Sequence, residues 1–296
     1  MRPDKHTVQQ LFERDVRYIV PLYQRPYVWD EDHQWAPLWD DITALLQHQE
    51  GGDQSGLWSH FLGAIVVEQD RTVPGQIPRF TVIDGQQRLT TLQLIVAAAA
   101  KAVAEAGAEN DAALLRELTV NNPRKASGIE QLKVWPTNAN RAAFTAVMSA
   151  DGIPPGHVND PGNRIDEAFD YFTERIAEYV TDSGEDETEP SGGTTPPPEP
   201  ASQVVADARS RPDPAVAARV ERLRITLCDL LKVVSITLEA DDNAQIIFET
   251  LNARGTPLLA LDLVKNAAFH QAARQGRAVS SDRSNSGRWS HDFLKQ

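Results

Sequence analysis

The chain has 296 residues, of which 41% are hydrophobic and 24% charged, so it can bury the core of one large globular domain or two smaller ones. Its formal net charge of −13 opposes indiscriminate DNA binding, because neutralisation of phosphates dominates non-specific affinity. The one cysteine, Cys228, excludes a disulfide framework and a cysteine-based zinc site. The N-terminus has no apolar core and no run could cross a bilayer, so we expect a cytoplasmic protein without a membrane partner.

Hydrophobic periodicity predicts an α+β fold with a small mixed sheet and a larger helical surround. In the first part of the chain we expect a strand at 18–20, a helix at about 32–47, strands at 60–68 and 79–83, and a helix beginning at 86. A helix near 111–118 and a short strand at 131–135 should follow. Helices at 138–148, 163–180 and 215–231 and a strand at 232–238 complete the predicted elements. Trp35 and Trp39 lie four apart on one helix face and are assigned to the core. The late strand has to rejoin the early ones to complete a single sheet.

The run Ile-Asp-Gly-Gln-Gln-Arg-Leu-Thr-Thr at residues 83–91 joins a strand to a helix. Leu89, Leu92 and Val96 recur at helical spacing, so residues 86–90 should form the first turn of an amphipathic helix. Free backbone N–H groups and the positive end of the helix dipole favour a bound phosphate at such a turn. The run therefore predicts a phosphate-handling turn, in which Thr90 lies close to the ligand.

Each polar residue of this turn suits one role in phosphate chemistry. Gly85 allows a close approach of the backbone, and Arg88 can form a bidentate pair with phosphate oxygens. Gln86 and Gln87 can orient a water molecule or a base edge, and Asp84 can hold a metal or polarise a water. A purely structural interpretation is also open, in which Asp84 caps the helix and Arg88 pairs with a surface acid.

A second segment, at residues 21–29, combines aromatic and polar side chains between prolines. Its prolines predict an ordered extended loop, which we name the aromatic loop. Aromatic and arginine side chains of this kind stack on bases or pack against a sugar-phosphate backbone. The candidate DNA-sensing residues are Tyr23, Gln24, Arg25, Pro26, Tyr27 and Trp29.

A third segment places polar residues around a sharp turn late in the chain. A helix should end near Asn252, with Gly255 in the left-handed conformation that a helix stop requires. Asp262 and Lys265 are three apart on the following helix and also suit a simple surface ion pair. Together with Arg254 they could form the far side of a nucleotide pocket.

These three segments, in this order, resemble the N-terminal domain of GmrSD-type modification-dependent restriction proteins, a domain shared by the phosphorothioate-sensing SspE proteins of phage defence. The resemblance spans about residues 8–270 apart from an insertion, and it implies a ParB/sulfiredoxin-like core. It also implies nucleotide hydrolysis centred on the Asp-Gly-Gln-Gln-Arg motif, with GTP ahead of ATP, Mg²⁺ as the expected cofactor and Asp84 as its ligand. The expected partners are modified double-stranded DNA, an HNH-type nuclease domain or subunit, and further copies of the chain.

Composition and resemblance together predict four parts. Residues 1–180 would form the first part of the core, and residues 215–276 would complete it. Between them, residues 181–214 form an acidic insertion rich in proline and glycine, which we expect to be disordered. Residues 277–296 have the composition of a linker toward a C-terminal domain, and no HNH-type signature is found in the chain.

Two other functions remain open from the residues. The same turn suits a non-catalytic DNA-binding module that grips backbone phosphate without turning over a nucleotide. A metal-dependent nuclease using Asp84 and Asp262 is the weakest alternative, because no carboxylate and histidine cluster accompanies them. The chain has no P-loop and no serine-hydrolase elbow, and its seven histidines lack metal-site spacing.

Overall fold

The computed structural model describes residues 2–51, 58–149, 163–182 and 213–239, together with Asp242 and Ile247. Six strands of these residues form one mixed sheet in the order β1-β6-β3-β4-β2-β5. The strands are β1 (Arg2–Thr7), β2 (Arg17–Ile19), β3 (His60–Gln69), β4 (Arg79–Asp84), β5 (Val134–Trp135) and β6 (Leu231–Leu238). The β1–β6 and β3–β4 pairs are antiparallel, and the β6–β3, β4–β2 and β2–β5 pairs are parallel.

Seven α-helices of the described chain accompany the sheet: α1 (Val8–Phe12), α2 (Ala36–Glu50), α3 (Gln86–Glu105), α4 (Glu109–Glu117), α5 (Arg141–Met148), α6 (Arg164–Thr181) and α7 (Pro214–Ile225). A π-helical turn precedes α2 at Glu31–Trp35, and another follows α7 at Thr226–Leu230. Short 3₁₀ turns span Gly128–Gln131 and Asn138–Asn140. The predicted α+β class with a mixed sheet is therefore confirmed, and the periodic segments form the predicted helices to within a few residues.

The late strand rejoins the early ones, as predicted. β6 lies between β1 and β3, with Val234 opposite Lys5 on one side and Ala64 on the other. The sequence analysis did not anticipate β1 itself, because its residues are polar and mostly exposed on both faces. Without an alternating apolar pattern, β1 takes its strand conformation from pairing with β6.

The helix α3, which begins after Gly85, is buried on more of its surface than an amphipathic helix would be. Nearly every face of α3 is covered, and only five of its residues, Arg88, Ala97, Lys101, Ala104 and Glu105, escape full burial. It packs against α4 and α6, and its many alanines allow those helices to approach closely. The prediction of an amphipathic helix was therefore too narrow: α3 is the central helix of the core.

The predicted core residues are buried. Trp35 is 2% exposed, and Trp39 packs against the same cluster from a partly exposed position. Cys228 is buried, and burial raises the pKa of its thiol to about 11, so it acts as a small hydrophobic side chain. The predicted insertion and linker fall outside the described ranges, apart from the residues at the edges of the insertion, and their boundaries stay predictions.

Candidate functional site

The turn between β4 and α3 is built around Gly85. This residue has φ = +91°, a left-handed conformation that favours glycine. A Cβ placed on Gly85 would stand 2.8 Å from Cγ2 of Ile65 and 3.0 Å from its Cα, too close for any side chain. Glycine is therefore needed here both for the backbone conformation and for the close approach of β3, as the sequence indicated in part.

Arg88, in the first turn of α3, reaches across to β3. Its Nη1 donates a hydrogen bond to the carbonyl oxygen of Ala64 at 2.7 Å and lies 3.7 Å from Oδ2 of Asp84. Gly63 leaves room for the guanidinium, since a Cβ there would be 3.2 Å from Nε of Arg88. Within the described part of the chain, Nε and Nη2 have no hydrogen-bond partner, and about a third of the side chain is exposed. Arg88 is thus held on one edge and open on the other.

Asp84 lies at the end of β4 and does not cap α3. The cap position is Gly85, and no side chain of the described residues bonds to the first-turn N–H groups. Asp84 instead forms an i, i+4 ion pair with Arg88. The structural interpretation predicted an acidic partner for Arg88, which is present, and a helix cap by Asp84, which is absent among the described residues.

Both ends of the Gln87 carboxamide are hydrogen-bonded to the aromatic loop. Its Nε2 donates to the carbonyl oxygen of Pro26 at 2.9 Å, and its Oε1 accepts from the backbone N–H of Val28, also at 2.9 Å. The carboxamide thus pairs with the loop as a peptide group of a neighbouring strand would. This geometry gives Gln87 a positioning role beside the water-orienting role that the sequence suggested.

Gln86, the residue before Gln87, is buried, with 9% of its surface exposed. Its carboxamide makes no hydrogen bond with the described residues and lines a small crevice with Arg25, Thr137 and Asn140. Thr90 is buried, and its hydroxyl donates back to the carbonyl oxygen of Gln86 at 2.8 Å. Of the two glutamines, Gln86 is therefore the one whose carboxamide is not already bonded to the described residues.

Two residues predicted to sense DNA prove to be anchors of the loop. Gln24 is 7% exposed, and its Nε2 donates to the carbonyl oxygens of Ile83 at 2.8 Å and Val82 at 3.3 Å. Tyr27 is 6% exposed, and its hydroxyl bonds to Thr91 Oγ1 at 2.7 Å and accepts from Trp35 Nε1 at 2.9 Å. Because these side chains are buried and bonded, neither presents its polar group to DNA in this structure, contrary to what the pattern of the loop suggested.

The accessible groups of the loop are different ones. Arg25 is half-buried and makes no hydrogen bond or ion pair with the described residues. Tyr23 is half-buried, and burial followed by the Glu68 carboxylate raises the pKa of its hydroxyl to about 12. Pro26 is exposed while its carbonyl bonds Gln87, and Trp29 packs against the core. Leu22 and Val28, which sequence analysis passed over, are 40% and 45% exposed.

Three residues near the turn were not anticipated as part of the site. Asn140 accepts the backbone N–H of Tyr27 at 2.8 Å through Oδ1, which also accepts the hydroxyl of Thr137 at 3.1 Å. Thr91 bonds to the hydroxyl of Tyr27, and Gly63 lies against the guanidinium of Arg88. No sequence signal distinguishes Asn140 or Thr91, because a buried asparagine or threonine carries no pattern of its own, whereas Gly63 interrupts the predicted strand at 60–68. The second polar cluster, formed by Asn252, Arg254, Gly255, Asp262 and Lys265, lies outside the described residues.

The described residues contain no group of three histidine, cysteine or acidic side chains that could hold a metal ion by themselves. Among their helices, none combines the length and apolarity needed to span a membrane.

The mixed sheet, the helix that begins after a left-handed glycine without a side-chain cap from the described residues, and the adjacent arginine define an α+β domain with a strand-to-helix turn of the kind at which anions can bind. Residues 8–269 match the family model of the GmrSD restriction endonuclease N-terminal domain, and the chain belongs to this family. The family places the chain in modification-dependent restriction, with DNA as the substrate and a nuclease domain as partner. The comparison with curated proteins found no match.

Proposed function

We propose that this chain is the nucleotide-hydrolysing and DNA-sensing domain of a modification-dependent anti-phage restriction system. GTP is the first candidate substrate and ATP the second, and the DNA modification is a phosphorothioate. The observation that carries the proposal is the β4–α3 turn, where uncapped N–H groups, Gly85 and the open edge of Arg88 meet. Family membership supports a restriction role, and a ParB/sulfiredoxin-like core is part of the proposal.

The proposed chemistry is attack of water on the γ-phosphorus, which breaks the bond to the β–γ bridging oxygen and yields a nucleoside diphosphate and phosphate. Arg88 offsets charge on the phosphoryl oxygens through its free Nε and Nη2 groups. Gln86, with its unbonded carboxamide, orients the attacking water. The bond from Arg88 to Ala64 fixes the guanidinium, so little positional freedom is lost when the phosphate binds. Lys265, outside the described residues, is proposed as a second cation.

Magnesium fits this site only together with the nucleotide. Mg²⁺ is usually held by one or two carboxylates, substrate phosphates and water. Asp84 can supply one carboxylate oxygen. Its Oδ2 lies 3.7 Å from Nη1 of Arg88, so the neighbouring charge is a cation rather than a second acid. Asp84 would therefore hold the ion beside the phosphates, and the ion would supply further neutralisation of phosphate charge when bound.

The DNA contact is proposed at the outer side of the aromatic loop. Arg25 offers a guanidinium that makes no hydrogen bond or ion pair with the described residues, and Leu22 and Val28, three positions to either side of it in sequence, offer exposed apolar surface. An apolar patch beside a cation suits a backbone phosphate in which sulfur replaces an oxygen, because sulfur is the less strongly hydrated atom. DNA cleavage is assigned to an HNH-type nuclease domain or partner subunit, and homo-oligomer formation is proposed as part of its assembly.

The test is phosphate release from GTP and from ATP by this chain, with and without unmodified and phosphorothioate duplexes. We expect turnover that falls by about 100-fold or more in Arg88→Ala, since transition-state charge would lose its partner. Arg71→Ala is the matched control, because Arg71 is exposed and has no ion pair with the described residues. Turnover unchanged in Arg88→Ala would overturn the assignment.

A second function is favoured by one observation: Gln87 and Asp84 are both engaged by protein groups, which leaves fewer free groups for catalysis. In this alternative the turn grips a DNA phosphate and no nucleotide is turned over. It predicts salt-dependent DNA affinity that falls in Arg88→Ala, with no phosphate release from either nucleotide.

A further inference from the structure

The aromatic loop is fastened to both sides of the β4–α3 turn. On the strand side, β2 ends at Ile19, opposite Thr81, so the next carbonyls of β4 have no strand neighbour there. The side-chain amide of Gln24 bonds to those carbonyls, on Val82 and Ile83, in place of a longer β2. Ile83 directly precedes Asp84, so the loop is bonded to β4 one residue before the candidate site begins.

On the helix side, the loop is bonded to two successive turns of α3. Gln87 pairs with Pro26 and Val28 through both ends of its carboxamide, and Thr91, one turn further on, bonds to the hydroxyl of Tyr27. Asn140 holds the backbone N–H of Tyr27 from a third direction. Arg88 lies immediately after Gln87, so the residue that clamps the loop adjoins the residue proposed to bind phosphate.

These bonds are buried or partly buried and link segments about 60 to 110 residues apart in sequence. A hydrogen bond lost in such surroundings is not easily replaced by water, so the loop and the turn move together more readily than apart.

From this geometry we infer that Gln87, Thr91 and Asn140 are positioning residues that couple the aromatic loop to the β4–α3 turn, so that DNA at the loop and nucleotide at Arg88 change each other's affinity. This inference rests on the proposed function and names its route of regulation. Linkage requires that the two ligands change each other's affinity by the same factor, which makes the coupling measurable from either side.

The experiment measures, with the full chain, the affinity for a non-hydrolysable GTP analogue with and without a saturating phosphorothioate duplex, and the affinity for the duplex with and without the analogue. We expect wild-type protein to show a coupling factor of about 5 or more. Thr91→Val and Asn140→Ala should bring the factor, which is a ratio of two affinities measured within one variant, close to 1. Asn140→Asp should keep the coupling, because a carboxylate oxygen accepts the same two hydrogen bonds.

Thr173→Val is the matched control for Thr91→Val. Thr173 also bonds back to a carbonyl four residues earlier, on Phe169, but within α6 and away from the loop. The Thr173→Val variant should have the same coupling factor as the wild-type protein. Coupling that persists in both Thr91→Val and Asn140→Ala would overturn the inference.

A second measurement does not depend on the variants. In the wild-type protein, binding of the GTP analogue should slow hydrogen exchange at the backbone amides of Tyr27 and Val28, since both are bonded to the coupling residues. Unchanged exchange at these amides, with analogue bound, would overturn the inference and leave the proposed function standing. Absence of analogue binding by the wild-type chain would instead overturn the proposed function and the inference together.

Discussion

Gly63 lies directly beneath the guanidinium of Arg88: a Cβ at Gly63 would stand 3.2 Å from Nε and 3.4 Å from Cζ. Gly63 also has φ = +95° and lies where the register between β3 and β6 shifts. The irregularity in β3 thus makes the space into which Arg88 extends, a close approach that a glycine within a strand pattern can indicate.

Gly63→Ala should displace Arg88 and strain the backbone. We expect a stability loss of about 1 to 2 kcal/mol from the left-handed conformation, together with a clear loss of nucleotide affinity. Gly75→Ala is the matched control, because Gly75 has φ = +89° and nothing within 4 Å of its Cβ position. Denaturant unfolding and analogue binding of both variants separate strain from displacement. Equal nucleotide affinity in the two variants would count against a ligand role for Arg88.

Tyr27→Phe should destabilise the chain by about 1 to 3 kcal/mol, because the Trp35 indole N–H and the Thr91 hydroxyl would each lose a buried partner. Tyr18→Phe is the matched control: Tyr18 is equally buried, but its hydroxyl has no hydrogen-bond partner among the described residues. Urea unfolding of both variants measures the difference. Similar free energies of unfolding for the two would show that the hydroxyl of Tyr27 contributes nothing.

Arg25→Ala should weaken binding to phosphorothioate duplexes and reduce the slope of log affinity against log salt by about 1, as expected when one phosphate contact is lost. The reason is that the guanidinium of Arg25, which lines the crevice, makes no hydrogen bond or ion pair with the described residues. The exposed Arg71 serves again as control, since its removal changes the net charge equally. Titrations at several salt concentrations check the slope; the same change in both variants would indicate a general charge effect rather than a contact.

Lys133 should make stability depend on pH in the alkaline range. It is 1% exposed, and desolvation lowers its pKa from 10.5 to about 8, although its Nζ donates to the carbonyl oxygen of Arg14 and to Asn121. Below pH 8 both folded and unfolded states carry the proton, and between about 8 and 10.5 the unfolded state binds more protons. Stability therefore rises with pH across that window, by about 3 kcal/mol at most.

The check is the difference in unfolding free energy between wild type and Lys133→Met, measured from pH 7 to 10.5. The variant removes the titrating group, so its pH profile should lack this rise even though it also loses two hydrogen bonds. Parallel profiles would show that Lys133 titrates near its ordinary pKa in the folded chain.

The parts of the fold that the sequence predicted are those with strong periodicity. The strand at 79–83 follows from its alternation and the helix after Gly85 from its helical spacing, whereas the left-handed conformation of Gly85 became known only from the structure. β1 could not be predicted, because its polar residues become a strand only through pairing with β6.

Within the site, chemistry was easier to predict than orientation. Residue type suggested a phosphate role for Arg88 and a close backbone approach at Gly85; the structure shows Arg88 bonded to Ala64 and Gly85 packed against Ile65, and the phosphate role stays a prediction. Gln24 and Tyr27 look like exposed recognition groups in sequence, yet both are buried and bonded to distant backbone and hydroxyl groups. A polar side chain far from its partner in sequence leaves no periodic trace, so its direction becomes known only from the fold.

The position of β6 between β1 and β3 also constrains the order in which the chain can fold. Among the described strands β1 pairs with β6 alone, so residues 2–7 have no partner in this sheet until residues 231–238 have been made. Until then β3 exposes one edge, and closing it requires contacts that span most of the chain, which slows folding. Until residue 238 has been made, a growing chain therefore carries an open strand edge, and pairing with another chain is the competing outcome.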